Sequence, residues 1–252
     1  MRAHAPTLAV FSILSLAIVA ATQAAPRQDL TEPTSADAQA IVGSADIVDG
    51  DSIKINGVAI RLHGIDAAEM AQTCAAAPSA TRFMVSAPST WNCGLDARRA
   101  LARLIGHSEV SCVETTIDKY GRTVARCRAG EKDLGAEMVR QGHAWAFVRY
   151  STDYVEIEKE ARAARRGIWQ ADTRTAWDFR AGMWDTAQAT APDGCTIKGN
   201  VTWTGERIYH LPWSPWYATV KMDTASSQRK GKRWFCSEAE ALAAGWRPSA
   251  TR

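Results

Sequence analysis

Six cysteines and five histidines are present, yet no CxxC or HxxxH spacing occurs, which removes the common zinc-binding frameworks. No apolar run beyond Ala21 is long enough to cross a bilayer. Neither sign of charge dominates: 30 Lys and Arg against 27 Asp and Glu leave a formal net charge of +3. That is too little for a protein that coats nucleic acid and suits one that engages phosphates locally. No internal repeat is found, which excludes solenoids and propellers. What remains is a chain of 252 residues with a 46% hydrophobic share, enough for one or two cored domains.

The start of the chain reads as a targeting segment. Arg2 is followed by the apolar stretch Leu8–Ala21 and then by small residues over Thr22–Ala25. This is the layout of a signal peptide over residues 1–24, too short and wrongly flanked for a membrane span. It predicts a periplasmic or secreted protein with no transmembrane segment after cleavage. Such a compartment permits disulfides, and the cysteine number is even. Cys112 and Cys127 are equidistant from a DKYG turn at Asp118–Gly121, so a hairpin there places them face to face. Cys74 and Cys93 bracket an Ala/Pro/Ser-rich insertion, which leaves Cys195 and Cys236 for the C-terminal region.

Residues 25–42 are polar and aperiodic, a flexible leader. From Ile41 the pattern turns β-like: Ser52–Ile55 and Val58–Ile65 alternate on either side of Asn56-Gly57, a hairpin turn signal. A helix follows with Ala97, Leu101, Leu104 and Ile105 on one face. Glu109–Val113 and Thr123–Cys127 make the second hairpin. A second helix starts at Asp133, and a third runs from about Thr152 to Arg166. The fold class is α+β, mainly β: a five-stranded OB-type barrel with three helices over residues 43–170. Residues 171–193 read as a connector. Residues 194–252 read as a small β-rich module with one short helix after Ser237, stapled by a disulfide because so small a core is marginal.

The chemistry concentrates between Asp49 and Glu69 and at Asp118–Arg122. Asp51 and Asp66 fall at the mouths of neighbouring strands, and two carboxylates with carbonyls and waters make an oxygen-only site for a hard cation. Arg61 and Arg122 offer planar forks that match phosphate oxygens. Glu69 is placed to orient or deprotonate a water. Lys119 and Tyr120 share the turn with Arg122. Singly, each has a bland reading as a turn or surface residue; their convergence argues otherwise. The basic run Arg229–Arg233 reads as a solvated loop, and His210 as a packed structural histidine.

These residues carry a resemblance. The strings VDGDSIKI, IRLHGIDAAE, DKYGRTVA, DLGAEMVRQGHAWAFVRYS and EKEARAARRGIW, in that order, make the segment from about Val48 to Trp169 similar to the staphylococcal-type thermonuclease family. The resemblance implies a calcium-dependent nuclease that cuts DNA and RNA and leaves 3′-phosphate ends. It implies Asp51, Asp66 and the carbonyl of Ala67 as calcium ligands, and Arg61, Glu69 and Arg122 as the catalytic trio. Lys119 and Tyr120 become terminal-phosphate contacts. The substrate-stacking aromatic aligns best with Phe147, with Tyr150 and Tyr154 as competitors. The chain departs from the family pattern at Ala67-Ala68, where the usual proline is missing, and by the insertion Met70–Asn92 directly after Glu69. No stable protein partner is expected, and the protein should be a monomer. The rival is a non-catalytic nucleic-acid-binding or envelope-binding protein on the same barrel, with the C-terminal module, which faintly resembles small extracytoplasmic modules, setting its role.

Overall fold

Two β-hairpins organise the first half of the molecule. A computed structural model describes residues 40–77, 89–222 and 231–249; the signal-peptide reading and nearly all of the leader lie outside them. β1 (Ile41–Gly43) and β2 (Ala45–Ile47) come first, followed by β3 (Ser52–Ile55) and β4 (Val58–Leu62). The β3–β4 turn carries Asn56 at φ 51° and Gly57 at φ 82°. Paired left-handed residues are what a two-residue turn needs to match strand twist. β5 (Ile65–Ala67) leaves the sheet, and the short β6 (Cys74–Ala75) and β7 (Thr90–Trp91) pair at the base of the insertion. After α1 (Cys93–Ile105) come β8 (Val110–Ile117), β9 (Thr123–Ala129) and β10 (Lys132–Asp133), then α2 (Leu134–Arg140), β11 (Ala144–Ala146) and α3 (Val155–Ala163).

The main sheet runs β1-β8-β9-β4-β3-β2, with β10 also on β9. Its two ends, β1 and β2, are neighbours in sequence, so the strip Ile41–Ile47 pairs with β8 at one end and β3 at the other. The sheet therefore curls on itself around Ile53, Ile55, Ile60, Leu62, Leu101, Val110, Leu134 and Met138. This is an OB-like half-barrel. The described sheet has seven strands rather than five, because the β1–β2 strip and β10 count separately. The strip also begins at Ile41, two residues before the expected boundary.

The second hairpin holds a correction of register. Cys112 faces Cys127 as expected, but next to the turn Ile117 faces Thr123, one step out of that frame. Asp118 and Arg122 close a five-residue turn, with the Asp118 N–H donating to the Arg122 carbonyl at 3.0 Å. A bulge between Glu114 and Thr116 absorbs the extra residue. The disulfides are Cys74–Cys93, Cys112–Cys127 and Cys195–Cys236.

The connector differs most from the sequence reading. It contains a helix of fifteen residues, α4 (Ala176–Thr190), started by Thr175, whose hydroxyl accepts from the Asp178 N–H at 3.2 Å. Trp177 and Trp184 are seven apart and share a face, but Phe179 lies off it and polar residues interrupt the stripe, so periodicity gave only a weak helix signal there. Aromatic packing fixes α4 instead. Trp145 is buried with edge contacts to Trp169 at 6.2 Å and Trp177 at 6.1 Å, and Trp177 also stacks on Phe147 at 5.7 Å. Each such pair adds about 0.5–1.5 kcal/mol beyond its buried area.

The C-terminal module has its own sheet: β12 (Ile197–Val201) between β13 (Arg207–His210) and β14 (Arg233–Phe235), with β15 (Arg247–Pro248) on β13. α5 (Glu238–Ala243) is capped by Ser237, which accepts from the Glu240 N–H at 3.1 Å. Its core is Ile197, Tyr209, Leu211, Phe235, Ala241 and Trp246. The basic run Arg229–Arg233 falls partly outside the described residues.

His210 is 4% exposed, and burial with the nearby Lys198 and Lys232 pushes its pKa down to about 4. The unfolded chain takes up that proton near pH 6.5, so stability is lost as the pH falls from about 6.5 towards 4, by up to about 3 kcal/mol. Thermal melts at pH 7.5 and 4.5 should show a smaller pH-linked fall in Tm for His210→Gln than for the wild type. Equal falls would mean that His210 does not carry this linkage.

Candidate active site

The turn Asp49-Gly50-Asp51 is held by the Asp49 carboxylate, which accepts from the Asp51 N–H at 3.1 Å. This aims Asp51 at β5, where its Oδ2 accepts from the Ala67 N–H at 3.0 Å, while its Oδ1 accepts from the Ser52 hydroxyl at 2.9 Å. Ser52 faces Arg61 across the β3–β4 ladder, so Arg61 emerges beside Asp51. Its guanidinium spans the two acids: Nη1 donates to Asp51 at 3.0 Å and Nη2 to Asp66 at 2.8 Å. Asp66 is 0% exposed. β5 pairs with β11, and this pairing sets Asp66 opposite Trp145.

Glu69 lies just past β5. Its N–H donates to the Gln72 side chain at 3.2 Å, and Gln72 in turn donates to the Arg174 carbonyl at 2.7 Å, tying this loop to the start of α4. Three residues after Trp177 on the same helix is Arg180. Its Nη1 donates to Glu69 Oε1 at 2.7 Å and Asp66 Oδ1 at 3.2 Å, and its Nη2 to Asp66 Oδ2 at 2.7 Å. No sequence signal marked this arginine. Residues three apart share a helix face, so the anchoring of Trp177 could have pointed to it had α4 been expected.

Arg122, from the end of the second hairpin, lines the same cleft. Its Nε donates to Asp118 Oδ2 at 2.7 Å. Lys119 and Tyr120 lie on the rim, and both meet the C-terminal module at Glu238: the Tyr120 hydroxyl donates to Oε1 at 2.7 Å, and Lys119 Nζ is 3.7 Å away. Glu238 also accepts from the Tyr209 hydroxyl at 3.0 Å. Phe147, the expected stacking aromatic, does not line the cleft, because Trp177 covers its face. Tyr150, 67% exposed, lines it instead, whereas Tyr154 is buried with its hydroxyl donating to Asp133. Trp213 and His63 complete a cleft of about 560 Å³.

The electrostatics are those of an acid surplus. Asp49, Asp51, Asp66 and Glu69 are buried, and two of the guanidiniums at the cleft, Arg61 and Arg180, are bound to them. The third, Arg122, is paired with Asp118. Burial, then Asp51 and Glu69, pushes the Asp49 carboxyl far above the usual range. Burial raises Glu69 to about 7 against the opposing pull of Arg180. Asp51 goes the other way: burial disfavours its charge, but Arg61, the Ala67 N–H and Arg122 outweigh it and hold its pKa low. Among the described residues no three His, Cys, Asp or Glu side chains form a metal cage by themselves. Yet an all-oxygen donor set in which four acids face two bound guanidiniums, so that protons take up the difference, fits a hard divalent cation that keeps some of its water.

A curled OB-like sheet with acids and arginines gathered at one cleft defines a class of protein, and comparison with known proteins places the chain in it. Residues 59–171 match the family model described as staphylococcal nuclease homologue. The matched segment includes Arg61, Asp66, Ala67, Glu69, Lys119, Tyr120, Arg122 and Phe147; Asp51 and Arg180 lie outside it. A micrococcal nuclease of Shigella flexneri is 33% identical over 152 residues, covering 53% of this chain and 76% of that protein. A succinoglycan biosynthesis protein of Rhizobium meliloti is 31% identical over 151 residues, covering 58% and 73%. A probable staphylococcal-like nuclease of Oryza sativa subsp. japonica is 29% identical over 133 residues, covering 52% of this chain and 31% of that protein. The chain belongs to the staphylococcal nuclease homologue family.

Proposed function

We propose that this protein is an exported, calcium-dependent nuclease that hydrolyses phosphodiester bonds of DNA and RNA with weak sequence preference and leaves 3′-phosphate ends. The observation that carries the reading is the meeting of Asp51, Glu69, Arg61 and Arg122 at one cleft, with Asp66 buried behind it and bonded to Arg61 and Arg180. Asp51 and Asp66, with the Ala67 carbonyl, would hold the calcium ion, which when bound polarises a phosphoryl oxygen and offsets its charge. Glu69 takes the proton of the attacking water. Arg61 and Arg122 donate to the phosphoryl oxygens as charge builds on the five-coordinate phosphorus. The 5′-oxygen then leaves. Tyr150 gives a base a face to stack on, and Lys119 with Tyr120 receives a neighbouring phosphate. Specificity stays weak because these groups address the backbone, not base edges.

Export is supported by the N-terminal apolar run and by disulfides, which persist in oxidising compartments. Purified protein and single-stranded DNA test the activity. Cleavage should appear with calcium and vanish with chelator, and Arg122→Ala should lower it by about 10²–10³-fold. Cleavage indifferent to both calcium and Arg122→Ala would overturn the reading. Binding without cleavage would favour the non-catalytic module.

A further inference from the structure

Arg180 has no part in the mechanism above, yet it is one of the most heavily bonded side chains in the cleft. Its three charge-assisted bonds reach two acids, and both oxygens of Asp66 are engaged by guanidiniums. A carboxylate has about four lone-pair directions, and three of those on Asp66 are taken. Arg61 is fixed within the barrel on β4. Arg180 comes from α4, which is held to the barrel by Trp177 and by the Gln72–Arg174 bond. The segment matching the family model ends at residue 171, so Arg180 lies outside it.

A divalent cation on Asp66 and a guanidinium bidentate on the same carboxylate compete for the same oxygens and repel each other. We propose that Arg180 is a tethered counter-cation of the acid cluster, holding Asp66 and Glu69 until a divalent cation displaces it from Asp66, so that α4 sets how tightly the site takes metal. This rests on the calcium reading of Asp51 and Asp66. Metal then acts as a switch on Arg180. Freed from Asp66, its fork stays within reach of Glu69, and the water-activating carboxylate keeps its partner. By linkage, the factor by which a docked α4 weakens metal binding equals the factor by which bound metal weakens the docking of α4.

The test is calorimetric titration of calcium into the metal-free full-length protein without nucleic acid. Arg180→Gln should bind calcium about 5–150-fold more tightly than the wild type. Trp177→Ala loosens α4 without touching an acid and should shift affinity in the same direction by a smaller factor, which decides the matter should Arg180→Gln fail to fold. Hydrogen exchange of α4 gives a second readout: in the wild type, calcium should speed exchange of its amides. Unchanged or weaker calcium affinity in both variants would overturn the proposal and leave Arg180 as a structural ion pair. Absence of calcium binding in the wild type and in both variants would overturn the metal reading itself, and the proposal with it.

Discussion

Glu69→Gln is expected to lower kcat on single-stranded DNA by about 10²–10⁴-fold, the usual range for loss of a positioned general base. The amide is nearly the same size and its oxygen still accepts from Arg180, so the geometry of the cleft should survive. Asp51, Asp66 and Arg61 are untouched, and working at saturating calcium removes any change in metal affinity from the comparison. KM should therefore stay close to wild type while kcat and kcat/KM fall together, the pattern of an interaction made only in the transition state. Steady-state kinetics at saturating calcium measures this directly. A decrease below about tenfold would remove Glu69 from proton transfer and leave it a partner of Arg180. A rise in KM with kcat intact would instead make it a binding residue.

Gly94→Ala should cost about 3 kcal/mol or more, at the upper end of the overpacking range. A Cβ at Gly94 would sit 1.8 Å from the Glu69 carbonyl oxygen and 2.5 Å from its carbon, both main-chain atoms. No side chain can swing aside to relieve that. Either α1 retreats from the barrel or the loop carrying Glu69 is pushed outward. For a chain of this size the loss corresponds to a fall in Tm of roughly 6–12 °C. The fraction that remains folded should also cleave poorly, because its Glu69 is displaced. A Tm within about 2 °C of wild type would show that α1 can shift freely at this contact. Full activity per folded molecule would show that the position of Glu69 does not depend on it.

The two hairpins explain how much of the site could be read in advance. Asn56-Gly57 fixes the register of β3 and β4, and that register alone brings Arg61 next to Ser52 and Asp51. Arg122 could be placed because its turn is marked by DKYG, although the turn is one residue longer than the sequence suggested and the bulge near Thr115 hid the difference at the cysteines. Contacts made through tertiary packing carry no such local mark. Arg180 is separated from Glu69 by 111 residues and from Asp66 by 114, and it rides on a helix whose apolar period is weak. Glu238 reaches Tyr120 across 118 residues. Phe147 illustrates the same limit: the family resemblance puts an aromatic near the cleft, but only the position of Trp177 decides that Tyr150 is the one facing it. Local order was legible, and the parts supplied by the C-terminal half were not.

The strip Ile41–Ile47 has a consequence beyond closing the sheet. An open sheet of this length has two unpaired margins, each a template on which another chain can add a strand. Here one short segment, broken only at Ser44, pairs with Val110–Cys112 at one margin and with Ile53–Ile55 at the other. Protection against intermolecular strand addition is therefore concentrated in seven residues, the first two of which fall within the expected leader. Wherever the chain is trimmed on its N-terminal side, the boundary that matters for keeping molecules apart is Ile41.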